Sequence, residues 1–230
     1  MSRAYLLYYW PSIQGRGEFV RLALEDAQAR YEDVARGPGG IGKMERQMAR
    51  HNVFAPPFLV HGKVVVAQTA NILFYLGPRL GLAPKSEAGR LWLHQQQLTI
   101  ADWVTEVHDA HHPIGSGLYY EEQQREARRR AADFRESRLP KFLEYFETLD
   151  RPSGTRAALT YLDLSLFQML EGLRYAFPQT MKKMERKIPN LVALRERVAR
   201  RPRIAAYLRS ERRIAFNLQG IFRHYPELDD

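Results

Sequence analysis

Residues 56–76 read PPFLVHGKVVVAQTANILFYL, and the way this stretch divides decides the fold. Phe58-Leu59-Val60 is a short apolar run, His61-Gly62 is a turn, and Lys63 to Ala67 is a second, β-branched run. Together they predict a hairpin of two strands. Gln68-Thr69 stops the second strand, and from Ala70 the spacing turns helical, with Ile72, Leu73 and Leu76 on one face. Thr69 is expected at the N-cap, its hydroxyl turned toward the free amides of the first turn. A helix start carries unpaired N–H groups and partial positive charge, which suits a small carboxylate. Pro57 opens the first strand behind another proline, and X-Pro is the one peptide bond at which the cis form costs little. A cis-proline, a hairpin and an anion-binding helix start make a ligand cradle; a plain hairpin followed by a capped helix is the alternative.

Toward the N-terminus, Ala4 to Trp10 (AYLLYYW) is apolar and aromatic throughout, as in a strand buried on both faces, and Pro11 ends it. Strand parity puts Tyr5 and Tyr9 on one face and Tyr8 on the other. Gly15 and Gly17 mark a loop, and Glu18 to Gln28 has helical spacing with Phe19, Leu22 and Ala23 inward. Tyr31 to Val34 reads as a second strand, Gly37-Pro38-Gly39-Gly40 as a loop, and Lys43 to Arg50 as a short irregular helix. The resulting β-α-β-α-β-β-α order is that of a thioredoxin-like domain over residues 1–83.

Toward the C-terminus, Gly81 to Ser86 (GLAPKS) interrupts the pattern as an interdomain linker. Residues 87–230 then read as helix after helix, an all-α domain. One long helix is expected from Glu87 to about His111 and another from Glu121 to about Leu149. Shorter ones follow from Leu162, Pro189 and Pro202. Thr160-Tyr161-Leu162-Asp163 has capping-box spacing, with Asp163 placed to answer back to the amide of Thr160.

Composition narrows the function classes. The 230 residues are 45% hydrophobic and 27% charged, as in a globular protein with one large or two smaller domains. No apolar run reaches the roughly 20 residues needed to span a membrane. The N-terminal segment lacks the apolar core of a secretion signal, so the cytoplasm is the expected location and no membrane partner is expected. Cysteine is absent, which excludes disulfides, thiolate metal ligands and cysteine nucleophiles. Any sulfur chemistry must arrive with a substrate. The net charge of +9 is spread along the chain and the arginine-rich stretches are broken by acids, so no nucleic-acid partner is expected. A basic surface favours anionic small ligands.

This order of parts resembles the cytosolic glutathione transferase family, in its tyrosine-type, mu/pi/sigma-like form. The resemblance rests on Pro57 followed by Gln68-Thr69 at eleven and twelve positions, on Tyr9-Trp10-Pro11 with Gly15-Arg16, and on the Thr160-x-x-Asp163 box. It covers nearly the whole chain. It implies a thioredoxin-like N-terminal domain and an all-helical C-terminal domain, glutathione as co-substrate, no metal, and a homodimer. Tyr9 would then donate its hydroxyl hydrogen bond to the glutathione sulfur. Free thiols have a pKa near ~8.5, and a fixed donor favours the thiolate and lowers that value. Ser12 is the rival, because serine-type transferases place their donor just past this strand. The loop Ser12 to Gly15 also runs one residue longer than is usual. Tyr5 and Tyr8 read as core.

By the same resemblance Gln68 and Thr69 hold the γ-glutamyl end of glutathione, with Asp102 contributed by a partner subunit; a solvated helix carboxylate is the other reading of Asp102. The cis-proline Pro57 and its predecessor Pro56 would face the cysteinyl part. Trp10, Arg16 and Lys43 complete the expected glutathione contacts, with Gln14 near the cradle. Pro56 departs from the family pattern: it has no N–H, so one backbone hydrogen bond worth about 0.5–1.5 kcal/mol is missing. Tyr119 and Tyr120 fall where the family lines its electrophile pocket, although aromatic packing at a helix end explains them equally well. Phe54 is in position to plug a dimer interface. His108 and His112 are four apart, a chelating spacing, but Pro113 ends the helix and no third ligand follows. The function implied is conjugation of glutathione to a small electrophile, as in detoxification. The alternatives are a glutathione-dependent isomerase or peroxidase and a non-catalytic binding or scaffold protein.

Overall fold

A computed structural model of the chain describes residues 4–151 and 159–230. Residues 1–3 and 152–158, which fall within the expected ranges 1–83 and 87–230, lie outside the described residues.

The sheet has four strands, β1 (Tyr5–Tyr8), β2 (Tyr31–Asp33), β3 (Phe58–His61) and β4 (Val64–Ala67), in the order β2-β1-β3-β4. β1 runs parallel to β2 and antiparallel to β3, and β3 pairs antiparallel with β4 across the turn at Gly62-Lys63. α1 (Gly17–Asp26) and α3 (Thr69–Arg79) cover one face, α2 (Gly40–His51) the other. The pleat sorts the side chains accordingly. Leu7, Leu59 and Val66 pack with Val20, Leu24, Ile72 and Leu76, while Tyr8 and Phe58 pack with Val34 and Met44. Tyr8 lies flat on Phe58, with centroids 4.4 Å apart.

β1 is shorter than its apolar run. Tyr8 pairs with Phe58, so Tyr9 would face Pro57, which has no N–H to give to the ladder. Tyr9 therefore leaves the sheet while staying buried, and Trp10 is 41% exposed.

α4 (Glu87–Asp109) starts on Ser86, whose hydroxyl accepts the N–H of Gly89 at 3.2 Å. The long helix expected from Glu121 is instead α5 (Gln124–Asp133), a wide π turn over Phe134–Arg138, and α6 (Leu139–Glu147). Pro140 accounts for the break, since it cannot donate to the carbonyl four residues back and its ring crowds that turn.

α7 (Tyr161–Ala176) runs through the middle of the helical part, and every residue from Tyr161 to Leu170 is buried. Its start is held as the capping-box spacing predicts. The N–H and hydroxyl of Thr160 both donate to Asp163 Oδ2, at 2.8 and 2.7 Å. α8 (Pro178–Met184) is an additional helix; α9 (Pro189–Ala199) and α10 (Pro202–Leu208) begin at their prolines, a favoured first position.

One hydrophobic core joins the two parts, running from Phe19, Leu22 and Leu73 through Trp103 and Phe134 to Phe167 and Leu173. After α10 the chain returns across the molecule. Phe222 lies against Gly172, where a Cβ would come 2.4 Å from its ring. Asp229 caps α8 by accepting the N–H groups of Gln179 and Thr180. The architecture is a thioredoxin-like unit followed by a helical domain.

Candidate active site

Beyond β1 the loop folds back so that the backbone of Gly15–Gly17 lies against the ring of Tyr9. Gly15 has φ +44°, and a Cβ on it would fall 2.1 Å from the Tyr9 hydroxyl. A Cβ on Gly17 would fall 2.5 Å from Tyr9 Cδ1. Only glycine allows so close an approach. Between them, the N–H of Arg16 donates to the Tyr9 hydroxyl at 2.9 Å. Tyr9 is 4% exposed, and burial pushes its pKa up against the opposing pull of the Arg16 amide and of the Arg16 and Arg21 charges. The hydroxyl thus keeps its proton at neutral pH, and with one lone pair occupied by Arg16 that proton is available to an acceptor.

The second part of the site is the start of α3. The Pro56–Pro57 peptide is cis, and β3 begins directly after it. Gln68 has φ +68°, a conformation that costs a non-glycine residue about 1–3 kcal/mol and tends to occur at functional sites. Gln68, not Thr69, occupies the N-cap, and it makes no side-chain cap bond. Thr69 is the first residue of α3, and its hydroxyl reaches instead across to the Arg16 carbonyl at 3.3 Å. The neighbouring loop draws the hydroxyl away from the helix's own amides, a contact between residues far apart in sequence.

A cavity of about 390 Å³ opens between these elements and α4, within the range of small-ligand sites. Arg16, Phe19, Gln68, Thr69 and Asn71 line one side; His94, Gln97, Leu98, Ala101 and Val104 line the other. Arg16, Gln68 and Thr69 are thus brought together, with Tyr9 hydrogen-bonded to Arg16. Pro57 is buried, Pro56 half-buried, and Lys43 on α2 and Asp102 on α4 are exposed, Asp102 being next to Ala101 of the lining. Ser12 is exposed, and its carbonyl accepts the Asn217 amide at 2.9 Å.

Tyr119 and Tyr120 are not among the residues lining this cavity. Tyr119 is 78% exposed. Tyr120 is buried, stacked at 3.7 Å on Tyr225, and donates its hydroxyl to Glu227 at 2.9 Å. The α4 side of the cavity is the part that motif reading missed. His94, Gln97, Leu98 and Ala101 recur at helical spacing on one face, a signal present in the sequence beside Asp102. Gln97 is fixed by the Ser165 hydroxyl at 2.7 Å, while His94 packs on Phe74 and keeps a buried Nδ1 with no partner.

Near the end of α4 three histidines crowd together. His111 Nε2 donates to the Ile221 carbonyl at 2.8 Å, and its Nδ1 meets His112 Nδ1 at 2.8 Å. Burial is the main cause that holds all three below the ordinary histidine range, His111 down to about 2. Among the described residues, no group of three or more histidine or acidic side chains is arranged to hold a metal ion, and no helix is long and apolar enough to cross a membrane.

Residues 108–211 match the family described as "Glutathione S-transferase, C-terminal domain". The whole chain is similar to Glutathione S-transferase Mu 6 of Mus musculus, at 25% identity over 90% of this chain and 91% of the relative. It is also similar to Glutathione S-transferase P 1 of Xenopus laevis, at 27% identity over 91% and 93%. Among solved structures, a pi-class glutathione S-transferase of Onchocerca volvulus superposes with a TM-score of 0.67 at 22% identity, covering 90% of this chain and 92% of that one. Prostaglandin synthase D of Nilaparvata lugens superposes at 0.70 and 19% identity over 91% and 98%, a likeness of fold. The fold, the cis-Pro57 cradle and relatives matched over nearly their whole length together support a transferase like those of the cytosolic glutathione S-transferase family.

Proposed function

We propose that the protein transfers the thiol of glutathione to a small, apolar electrophile, with Tyr9 as the donor to the sulfur. The observation that carries this reading is the Tyr9 hydroxyl, buried, protonated and fixed by the Arg16 amide. A donor held in place before the charge forms stabilises the thiolate without reorganising, as one arm of an oxyanion hole does. Glutathione lies along the cradle, its γ-glutamyl carboxylate at Gln68 and the free amides of α3. Pro57, Trp10, Arg16 and Lys43 complete its contacts. Asp102 of a second subunit neutralises the γ-glutamyl amine, so the working unit is a homodimer in the cytoplasm. Residues 1–83 bind glutathione, and residues 87–230 supply the wall for the electrophile.

A second reading, glutathione binding without transfer, is favoured by Pro56, which offers only its carbonyl to the ligand. Calorimetric titration of glutathione, run beside conjugation of an aryl halide, separates the two. The transferase reading expects binding and turnover in wild type, with binding retained and turnover about 10²-fold lower in Tyr9→Phe. Full activity in Tyr9→Phe together with loss in Ser12→Ala would move the donor role to Ser12. Binding without turnover in wild type would leave the second reading standing.

A further inference from the structure

The Arg16 amide acts on Tyr9 only if the loop before it is held still, and the loop is held from the far end of the chain. The carbonyls of Ser12, Ile13 and Gln14 are each taken by a side chain from another element. Asn217 donates to Ser12 at 2.9 Å, and Arg21 Nη1 donates to Ile13 and Gln14 at 3.2 and 3.3 Å. The Gln14 side chain, 5% exposed, is engaged at both ends. Its amide donates to the carbonyl of Ile214, and its oxygen accepts Gln168 Nε2 at 2.8 Å. Gln168, fully buried on α7, accepts Arg213 Nη2 at 3.0 Å. Arg213 in turn pairs with buried Glu18, whose backbone N–H donates to the Gln14 carbonyl at 3.0 Å. The hydrogen bonds close a ring: Gln14, Gln168, Arg213, Glu18 and back to Gln14.

We propose that Gln14 and Gln168 are positioning residues for thiol activation. They clamp the loop between α7 and the Arg213–Ile214 segment, so that the Arg16 N–H stays aligned on the Tyr9 hydroxyl. The proposal rests on Tyr9 as the thiol donor. The Gln14 and Gln168 side chains are already engaged by Ile214, by each other and by Arg213, so their effect runs through the loop and Tyr9 and leaves the glutathione contacts alone. A buried ring whose members are all satisfied holds one arrangement, and removing one member leaves its partners unpaired and the loop free to drift.

The test is the pH profile of kcat/KM for the electrophile at saturating glutathione, which reports ionisation of the bound thiol. Gln14→Leu and Gln168→Leu should each move the acid limb upward by about half to one pH unit, a loss of about 3–10-fold below it, with KM for glutathione within about twofold. In a Tyr9→Phe background neither substitution should move the limb further. An unmoved limb in the folded single variants overturns the proposal, and so does an equal shift in the Tyr9→Phe background. If Tyr9→Phe alone leaves the limb in place, the donor assignment has failed first, and the proposal falls with it. Should the leucine variants not fold, Asn217→Ala, which frees only the Ser12 carbonyl, is expected to give a smaller shift in the same direction; no shift there counts against the clamp.

Discussion

Tyr9 and Thr69 are joined through a single residue: the N–H of Arg16 donates to the tyrosine hydroxyl at 2.9 Å, and the carbonyl of Arg16 accepts the threonine hydroxyl at 3.3 Å. The end of β1 and the start of α3, sixty residues apart in the chain, are thereby held at one residue. The proposed thiol donor and the proposed carboxylate site are then parts of one rigid unit.

Gly15→Ala tests how closely the loop must approach. The new Cβ would overlap the Tyr9 hydroxyl at 2.1 Å and sit on a backbone with φ +44°. The expected cost is about 1–3 kcal/mol in urea unfolding, with turnover falling at least tenfold as Tyr9 is displaced. Wild-type turnover would show that the ring does not lie where the loop places it.

The histidines predict the pH dependence of stability. His111 is held neutral down to about 2, against an ordinary value of 6.5, and burial also lowers His94, His108 and His112. Below 6.5 the unfolded chain takes up protons that folded His111 refuses until about 2, so the folded state loses stability across that window as pH falls. Each refused proton adds a slope of about 1.4 kcal/mol per pH unit. Urea midpoints should fall steadily from about pH 7.5 to about 5.5, above the range where carboxylates titrate. A flat profile would contradict the buried neutral cluster.

Asp163→Ala removes the acceptor for both donors of Thr160 and a partner of Arg151, at a residue 1% exposed. Unfolding should become easier by about 2–4 kcal/mol. Turnover per folded molecule should hold, because the box anchors α7 and lines no part of the candidate cavity. A kinetic defect at full stability would assign Asp163 a different role.

Phe54 is 95% exposed, an uncommon position for phenylalanine, and stands just before the Pro56–Pro57 pair. In the proposed homodimer this ring is covered by the partner. Phe54→Ser should shift sedimentation toward the monomer, and Asp102→Ala should raise KM for glutathione with little change in kcat. An unchanged sedimentation profile would place the interface elsewhere.

The unit from Pro56 to Leu76 was legible in sequence because its signals are local: β-branched alternation, a glycine turn, then helical spacing. The capping box at Thr160 and Asp163 was legible for the same reason. Features set by contacts between distant segments were not. Gln68 takes positive φ with no glycine to announce it, and Thr69 leaves the N-cap for a carbonyl on another loop. The π turn before Leu139 follows from one proline within an otherwise continuous helical pattern. The Gln14–Gln168 pair spans 154 positions, beyond the reach of any periodicity. Tyr120 reads the same whether it faces a substrate or Tyr225, and packing alone decides that it stacks on Tyr225.

The central claim is that Tyr9 ionises the thiol of bound glutathione, and the ultraviolet thiolate absorbance of the complex, titrated with pH, reads this directly. In wild type the bound thiol should ionise at least about one pH unit below the free value near ~8.5, and in Tyr9→Phe it should return most of the way to that value. Superimposable titrations of the two proteins would contradict the account.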